Sequence, residues 1–224
     1  MGYTNSPLIM GYVPSPHYSA RVGDIQKITV HHAGAVTSAK KVANHFYAAT
    51  TRASANYVIG QDGEIIMCLP EKCRAWATKN AVNDNLAVNI EVCNSTPAPD
   101  WEISEKAWTS LVALCVDICK RNRIDKLTYT GGPSGTLTLH RFFVATECPG
   151  PYLMSKMPEL AELVNQQLHP TRIMSIVDVP AYAQPAVQRL LDAGYLQGTD
   201  SGLDLSLDMV RILVVLDRIL GRSE

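Results

Sequence analysis

The sequence has few of the features that mark membrane proteins, exported proteins or nucleic-acid-binding proteins. Its formal net charge is −1 at pH 7, so no excess of basic side chains indicates a nucleic acid or an anionic membrane as a partner. No apolar run approaches the roughly 18–20 residues of a membrane-spanning helix, so no membrane insertion is expected. The opening segment, Met1 to Pro7, lacks the basic and then apolar layout of a signal peptide. We therefore expect the protein to accumulate in the cytoplasm of the cell that makes it.

Disulfide bonds are not expected either, although the six cysteines form an even set. Cys115 and Cys119 fall on the apolar face of an amphipathic helix, and Cys93 ends the pattern of a buried strand. Without an export signal, reduced core thiols are the better interpretation. The spacing of Cys115 and Cys119 also occurs in metal-ligand pairs, but their place on the apolar stripe favours packing.

Residues 1–168 are predicted to form one α/β domain with a mixed central sheet flanked by helices. Strands are predicted where apolar and polar residues alternate, and helices where apolar residues recur every three or four positions. The predicted strands cover 25–32, 56–60, 64–69, 86–92 and 137–140, and the predicted helices cover 39–49, 105–122 and 158–168, the last begun about one turn earlier. Ser38 and Ser104 precede two of these helices and are the predicted N-caps.

Two regions lie at the ends of this domain. Residues 1–24 are rich in proline, serine, glycine and tyrosine without periodicity, and are predicted to be an extended arm packed on the domain. His169-Pro170-Thr171 breaks the pattern as a linker to a small helical domain, 171–224, with helices predicted over 185–193 and 207–220. A unit of about 50 residues with so little core is only marginally stable alone. We expect it to pack on the first domain, on a second copy or on a ligand surface.

Three residues that are far apart in sequence have the chemistry of a catalytic zinc site. His31 ends an apolar strand, whereas His140 and Cys148 stand eight residues apart far downstream. Neutral imidazole and thiolate are good zinc ligands, and three protein ligands leave a fourth position for water. Tertiary folding must assemble such a site. His32 is a rival to His31, but adjacent strand residues point to opposite faces, so one site cannot easily use both.

Several short segments occur in the order found in one family. They are Ile28-Thr29-Val30-His31-His32, Asn56-Tyr57-Val58-Ile59-Gly60-Gln61-Asp62-Gly63, Arg74-Ala75-Trp76, Asn89-Ile90-Glu91 and, with His140, Cys148-Pro149-Gly150. Together they resemble the type 2 N-acetylmuramoyl-L-alanine amidases, a zinc family that includes phage endolysins and peptidoglycan recognition proteins. The resemblance covers about residues 20–168. It implies that His31, His140 and Cys148 hold Zn²⁺.

The resemblance also implies roles for residues around the metal. Some members of the family place a glutamate where Glu91 stands, and others use a tyrosine at the position of Ala55. Because a zinc hydrolase needs a base and Ala55 cannot supply one, Glu91 is the expected base, although a solvated carboxylate is the alternative. Thr146 matches a position that carries lysine or threonine and could donate to the developing oxyanion, with a plain loop threonine as the alternative. Asn56 and Trp76 are expected to line the substrate cleft, with core packing of Trp76 as the alternative.

The implied activity is hydrolysis of the amide between N-acetylmuramic acid and L-alanine in bacterial peptidoglycan, with bacteriolysis as the result. Ser6-Pro7 and Arg74-Ala75-Trp76 look closest to endolysins of phages that infect Gram-positive, clostridia-like hosts. A non-catalytic recognition module, a host autolysin or cytosolic wall-recycling amidase, and a cysteine peptidase that uses Cys148 are the alternatives. The first of these is disfavoured because such modules typically replace the cysteine that Cys148 matches.

The C-terminal domain, 171–224, carries a weaker signal. Val179-Pro180-Ala181-Tyr182-Ala183-Gln184-Pro185-Ala186-Val187, with the later Gly194 and Gly198, is weakly similar to wall-binding repeats of the S-layer-homology type. Wall binding is therefore the favoured expectation for this region. A helical dimerisation or stabilising element is the alternative.

Overall fold

A six-stranded sheet forms the centre of the first of two units, which ends at Leu168. The structure, a computed structural model, describes residues 2–221. The strands are β1 (Gly11–Tyr12), β2 (Tyr18–Ala20), β3 (Lys27–Val36), β4 (Tyr57–Ile59), β5 (Ile65–Met67), β6 (Cys73–Ala75), β7 (Ala87–Asn94) and β8 (Leu137–Leu139). The large sheet has the order β1-β5-β4-β7-β3-β8, and β2 pairs with β6 in a second, two-stranded sheet. In the large sheet β4 and β5 are antiparallel and the other pairs are parallel, so the predicted mixed central sheet is confirmed.

Helices cover both faces of this sheet. They are α1 (Ala39–Tyr47), α2 (Ala81–Leu86), α3 (Glu105–Asn122) and α4 (Gly150–Leu168). The larger core lies on the side of α3 and α4, where Ile28 and Ile90 of the sheet belong to one buried cluster with Leu111. A smaller core lies under α1, where Phe46 packs in a cluster with Val58. The prediction of an α/β domain with helices flanking the sheet is thus confirmed.

Local sequence signals account for the well-predicted elements. Ser38 accepts a hydrogen bond from the backbone N–H of Lys41, and Ser104 accepts one from that of Ala107, so both predicted N-caps are confirmed. Cys115 and Cys119 are buried in the larger core, and all six cysteines are free thiols, as predicted. Because each helix start is fixed by its own serine, these boundaries follow from the sequence alone.

Other boundaries differ from the prediction. The N-terminal arm contributes β1 and β2, each of two or three residues, which are too short to show a periodic pattern. The last helix of the unit begins at Gly150, well before the predicted start, and contains Pro158. The sequence predicts a start about one turn before Pro158, and a proline inside a helix, which costs a backbone hydrogen bond, hides the earlier turns. The short helix α2 and strand β6 were not predicted.

The second unit begins at His169 and contains the helices α5 (Gln184–Asp192) and α6 (Leu207–Leu220), close to the predicted bounds. Val187 of α5 and Val210 of α6 belong to its small buried core. Asp217 of α6 accepts two hydrogen bonds from Arg189 of α5. Met1 and residues 222–224, which the predicted domains include, lie outside the described residues. Within residues 2–221, no helix is long and apolar enough to cross a membrane.

Candidate metal centre and active-site cleft

Two adjacent parallel strands supply the first polar groups of the site. His31 of β3 and Glu91 of β7 are direct partners in the register of the sheet. Side chains at such paired positions point to the same face, here the face covered by α1. The alternation predicted for β7 therefore has a functional meaning. Its apolar residues enter the larger core, and its polar residues Asn89 and Glu91 point toward the site.

His140 and Cys148 reach the same place from the C-terminal end of β8. This strand pairs with β3, and His140 follows it directly as the first residue of a short 3-10 turn. Cys148 lies two residues before the start of α4. The ligand atoms of His31, His140 and Cys148 all lie within 4.8 Å of one another. The Sγ of Cys148 is 3.7 Å from Nδ1 of His31. The structure thus brings together all three residues expected from the sequence.

The hydrogen bonds around these residues fit a metal ion. Nε2 of His31 lies 3.0 Å from Oδ1 of Asn89, which accepts the ring proton and leaves the lone pair on Nδ1, beside Cys148. Nε2 of His140 is buried without a hydrogen-bond partner among the described residues. Two imidazole nitrogens and one sulfur form a donor set that zinc prefers, with a fourth position left for water or substrate. The residues present fit a catalytic zinc ion.

Burial also sets the protonation states that metal binding requires. It lowers the pKa of His31 to about 3, with a further contribution from the charge of His140. Burial, followed by the charge of Lys79, lowers the pKa of His140 as well. Both imidazoles are therefore neutral at neutral pH. Burial, followed by the charge of Glu91, raises the pKa of the Cys148 thiol, so metal binding to this site would release a proton.

Glu91 has the environment of a proton carrier. Its side chain is half-buried beside the three ligands, and desolvation raises its pKa to about 8. A carboxyl group that titrates near neutral pH can both accept and return a proton during one catalytic cycle. Ala55, the alternative position for a base, is fully buried and has no titratable group. The described geometry leaves Glu91 as the acid–base candidate beside the ligands.

An open cleft of about 440 Å³ surrounds the four groups. Trp76 lines it with 37% of its surface exposed, and its indole N–H donates to the hydroxyl of Ser19, which holds the ring in place. Thr146 lines the cleft as well, and its hydroxyl accepts a hydrogen bond of 3.3 Å from the backbone N–H of Cys148. That arrangement leaves the hydroxyl proton of Thr146 free to be donated into the cleft.

The structure corrects the expectation that Asn56 lines the cleft. It is fully buried in the sheet, where its amide nitrogen donates to the carbonyl of Cys73 at 3.2 Å. Its Oδ1 accepts the backbone N–H of Asn89 at 3.0 Å. Asn56 therefore holds in place the part of β7 that carries Asn89. The side chain of Asn56 itself has no surface in the cleft. A buried amide that satisfies backbone groups is a structural residue.

His32 takes the opposite side of β3, as expected for the neighbour of His31. Its ring packs edge to face on Trp101, with the ring centroids 4.8 Å apart. Burial lowers the pKa of His32 to about 4. His32 borders the cleft but is not part of the three-residue cluster. The structure therefore places His31, and not His32, among the candidate ligands.

Several residues of the site were missed from the sequence. Lys41, His45 and Phe46 of α1 form one wall of the cleft. Their helical spacing was visible, but nothing showed which side of the sheet α1 covers. Asn89 lies in one of the family-like segments, but the sequence assigned it no role. Since Asn89 and Glu91 are two residues apart on one strand, the period of two could have assigned them to the same face.

Known structures share this fold. A selenomethionine derivative of AmpD matches with a TM-score of 0.55 and 19% identity, over 72% of this chain and 99% of that chain. A mutant endolysin from Bacillus subtilis matches with a TM-score of 0.52 and 19% identity, over 68% and 97%. The Drosophila peptidoglycan recognition protein SA matches with a TM-score of 0.52 and 16% identity, over 66% and 90%. Identities this low show the fold alone.

The sequence comparison goes further than the fold. No curated protein matches the chain. A family profile described as N-acetylmuramoyl-L-alanine amidase matches residues 21–151, which is more than half of the chain and contains His31, Glu91, His140 and Cys148. The chain therefore belongs to the N-acetylmuramoyl-L-alanine amidase family, whose substrate is peptidoglycan, and is an enzyme of that activity.

Proposed function

We propose that this amidase depends on zinc and cleaves the bond between N-acetylmuramic acid and L-alanine in intact cell walls, as the bacteriolytic endolysin of a phage with a Gram-positive, clostridia-like host. The convergence of His31, His140 and Cys148 beside Glu91 carries the proposal. Zinc bound by these ligands would supply the Lewis acidity that activates water and polarises the scissile carbonyl group.

The residues around the ligands supply the proton transfers. Glu91 takes a proton from the attacking water as the oxygen adds to the lactyl carbonyl carbon. The hydroxyl of Thr146 donates a hydrogen bond to the oxygen that becomes negative in this step. When the carbon–nitrogen bond breaks, Glu91 returns its proton to the departing amine of L-alanine. Trp76 offers an exposed ring face to the sugar or lactyl part of the substrate.

Analysis of the reaction products identifies the bond that the enzyme cleaves. Purified Gram-positive walls digested with the zinc-loaded protein should release stem peptides with free L-alanine amino termini, as detected by mass spectrometry. A chelator should abolish this release, and added zinc should restore it. New reducing sugar ends in place of free L-alanine termini would identify a glycosidase and contradict the proposal.

A recognition module without catalysis is one alternative, and a peptidoglycan recognition protein shares the fold. The retained cluster of His31, His140 and Cys148 favours the enzyme. Zinc analysis separates the two, because a recognition module would retain muropeptide binding in a metal-free protein. A cysteine peptidase is disfavoured, since nucleophilic cysteines have lowered pKa values and burial raises that of Cys148. Loss of holoenzyme activity on iodoacetamide treatment, with resistance to chelators, would support the peptidase.

A cytosolic wall-recycling amidase or a host autolysin is the other alternative. As an endolysin, the protein would accumulate in the cytoplasm of the infected cell and reach the wall only after the membrane opens. The additional unit from His169 onward favours this role, because soluble wall fragments require no attachment to a surface. Intact sacculi and small anhydro-muropeptides should be offered side by side. Rapid cleavage of the fragments with untouched sacculi would identify a recycling enzyme.

The second unit is proposed to bind the cell wall. It forms a compact unit separate from the amidase unit, as an attachment module would. The isolated fragment 171–224 should then be retained by purified sacculi. If the fragment stays in solution and sediments as a dimer, it is an assembly element instead.

A further inference from the structure

Helix α6 has two apolar faces, although its unit buries only one. Val210 is fully buried, and Leu213 and Val214 pack against the same small core. On the other side of the helix, four large apolar side chains face solvent. Their exposed fractions are 41% for Met209, 66% for Ile212, 38% for Leu216 and 59% for Ile219. An apolar stripe along a whole helix face is unusual on a monomer and marks an interaction surface. We call these four residues the α6 seam.

The spacing of the α6 seam is that of a helix–helix interface. Its members follow one another at intervals of three, four and three residues, which is the pattern of the core positions in a coiled coil. The pattern is also symmetric about Val214, since Met209 and Ile219 lie equally far from it, as do Ile212 and Leu216. Two identical helices that cross antiparallel at Val214 would place Met209 opposite Ile219 and Ile212 opposite Leu216. The seam is therefore complementary to itself.

We propose that the α6 seam binds the α6 seam of a second copy of this chain in an antiparallel pair. This inference does not rest on the amidase activity. With the neighbouring Val215, which is exposed at 54%, the seam offers mostly apolar surface. The area is on the order of 500 Å² per copy, which matches the roughly 65% apolar share of the ~800 Å² that each partner buries in a standard dimer.

The charges on α6 favour the antiparallel direction. Asp208 lies in the first turn, and Arg218 lies in the last turn. An antiparallel pair brings Asp208, which also pairs with Arg211 of its own helix, near Arg218 of the other helix, and it also opposes the two helix dipoles. A parallel pair would place like charges side by side. The self-complementary seam and the charge distribution therefore agree on one arrangement.

The chemistry of the seam argues against other occupants. All four side chains are aliphatic or thioether groups, and the seam contains no aromatic ring on which a sugar could stack. Wall polysaccharide is a polar ligand, and its hydroxyl groups would find no hydrogen-bonding partners on the side chains of the seam. A lipid surface is a further candidate, and the experiment includes it as an outcome.

Sedimentation equilibrium of the full, zinc-loaded chain tests the proposal over a micromolar concentration series. The expected mass rises toward twice the 24.5 kDa of one chain. Ile212→Asp should weaken the dimer by about tenfold or more, because it places an unpaired charge in the seam. Leu216→Ala should weaken it less, through lost apolar area. Arg211→Asp is the matched control, since it places the same side chain on the same helix outside the seam.

Three results would overturn the proposal. They are a monomeric wild-type chain at every concentration, equal masses for wild type and Ile212→Asp, and equal weakening by Arg211→Asp and Ile212→Asp. Co-sedimentation with vesicles of phosphatidylglycerol and phosphatidylcholine is measured in parallel. A monomer that binds vesicles through Ile212 would assign the seam to a lipid surface. Circular dichroism checks that each variant keeps its helices.

The direction of the pair is tested by cross-linking. Chains carrying Ile212→Cys are mixed with chains carrying Leu216→Cys, and each is also oxidised alone. The antiparallel pair predicts faster disulfide formation in the mixture than in either chain alone, with the wild-type chain as the background for its own thiols. Faster formation by each variant alone would show a parallel pair and contradict the antiparallel arrangement.

Discussion

The two units of this chain handle their apolar surface in opposite ways. In the first, both faces of the sheet are covered, and polar side chains are gathered at one place, where burial shifts their pKa values. In the second, a minimal core leaves one face of α6 in solvent. This difference indicates separate functions. The polar groups that the first unit shields from water suit catalysis, whereas the apolar groups that the second unit exposes suit binding to a partner. Changes to the first should therefore alter catalysis, and changes to the second should alter attachment or assembly.

The largest effect should follow from removing a ligand in the first unit. Cys148→Ser replaces a thiolate with a hydroxyl, which is a much poorer zinc ligand. We expect zinc content to fall well below one ion per chain and activity to fall by about 10³-fold or more, since the Lewis acid is lost. Atomic absorption and a muropeptide assay measure both. Cys119→Ala, a buried cysteine outside the site, should keep its zinc. Full activity in the metal-depleted Cys148 variant would exclude zinc catalysis.

The next effect concerns the proton carrier. Glu91→Gln keeps the size of the side chain and removes its ability to transfer a proton. We expect kcat to fall by roughly 10²–10⁴-fold with the zinc content unchanged. Glu105→Gln, an exposed carboxylate at the start of α3, is the control and should keep wild-type kinetics. If Glu91→Gln retains kcat, the proton is carried by another group.

A smaller effect is expected where Asn89 positions a ligand. Asn89→Ala removes the acceptor for the His31 ring proton, so the tautomer and orientation of the ring are no longer fixed. Zinc affinity should weaken by about 10–100-fold, as measured by competition with a chelator of known affinity. Asn94→Ala, on the same strand, removes an amide that donates to the Trp101 carbonyl and should leave zinc affinity unchanged. Equal affinities for wild type and Asn89→Ala would show that the hydrogen bond has no positioning role.

Removing the second unit should separate attachment from chemistry. A chain that ends at Leu168 should keep its zinc and cleave soluble muropeptides at a near wild-type rate. Its binding to whole walls should weaken, because a second contact and its effective-concentration gain are lost. Sacculus sedimentation measures binding, and fragment turnover measures chemistry. If the shortened chain loses turnover of soluble fragments while it stays folded, the two units do not divide the work in this way.

The smallest effect is on stability without metal. Burial raises the pKa of Glu91 from 4.5 to about 8, so folding favours its protonated form. The resulting contribution to stability is fully present below about pH 4.5 and is lost as the pH rises through about 8. In urea unfolding of metal-free protein, the stability of Glu91→Gln relative to wild type should therefore increase between about pH 5 and pH 8.5. A difference that does not change with pH would mean that Glu91 titrates normally in the folded state.

Much of the first unit followed from its sequence because its signals are local. The serine caps, the alternation in β7 and the hairpin of β4 and β5 each depend on neighbours in the chain. The short strands β1, β2 and β6 could not be predicted, since two or three residues show no period and their pairing partners are distant. Helix α4 was predicted too short because Pro158 lies inside it.

The candidate site was less predictable than the fold. His31, His140 and Cys148 came from a resemblance, and the structure supplies the distances between them. The bond from His31 to Asn89 joins residues 58 positions apart and leaves no pattern in the sequence. Asn56 was assigned to the cleft by its motif, although its amide satisfies backbone groups inside the sheet. The apolar residues of α6 are visible in the sequence, but the sequence does not show which of them the unit buries.

The sequence separation within the metal cluster has a consequence for folding kinetics. His31 and Cys148 are 117 positions apart, and both meet His140 only after β3, β8 and the start of α4 are in place. An ion that binds only this late arrangement would add little to the folding rate and would mainly slow unfolding. If the protein is the proposed lysin, which acts outside the cell that made it, it would depend on a long unfolding half-life more than on rapid refolding.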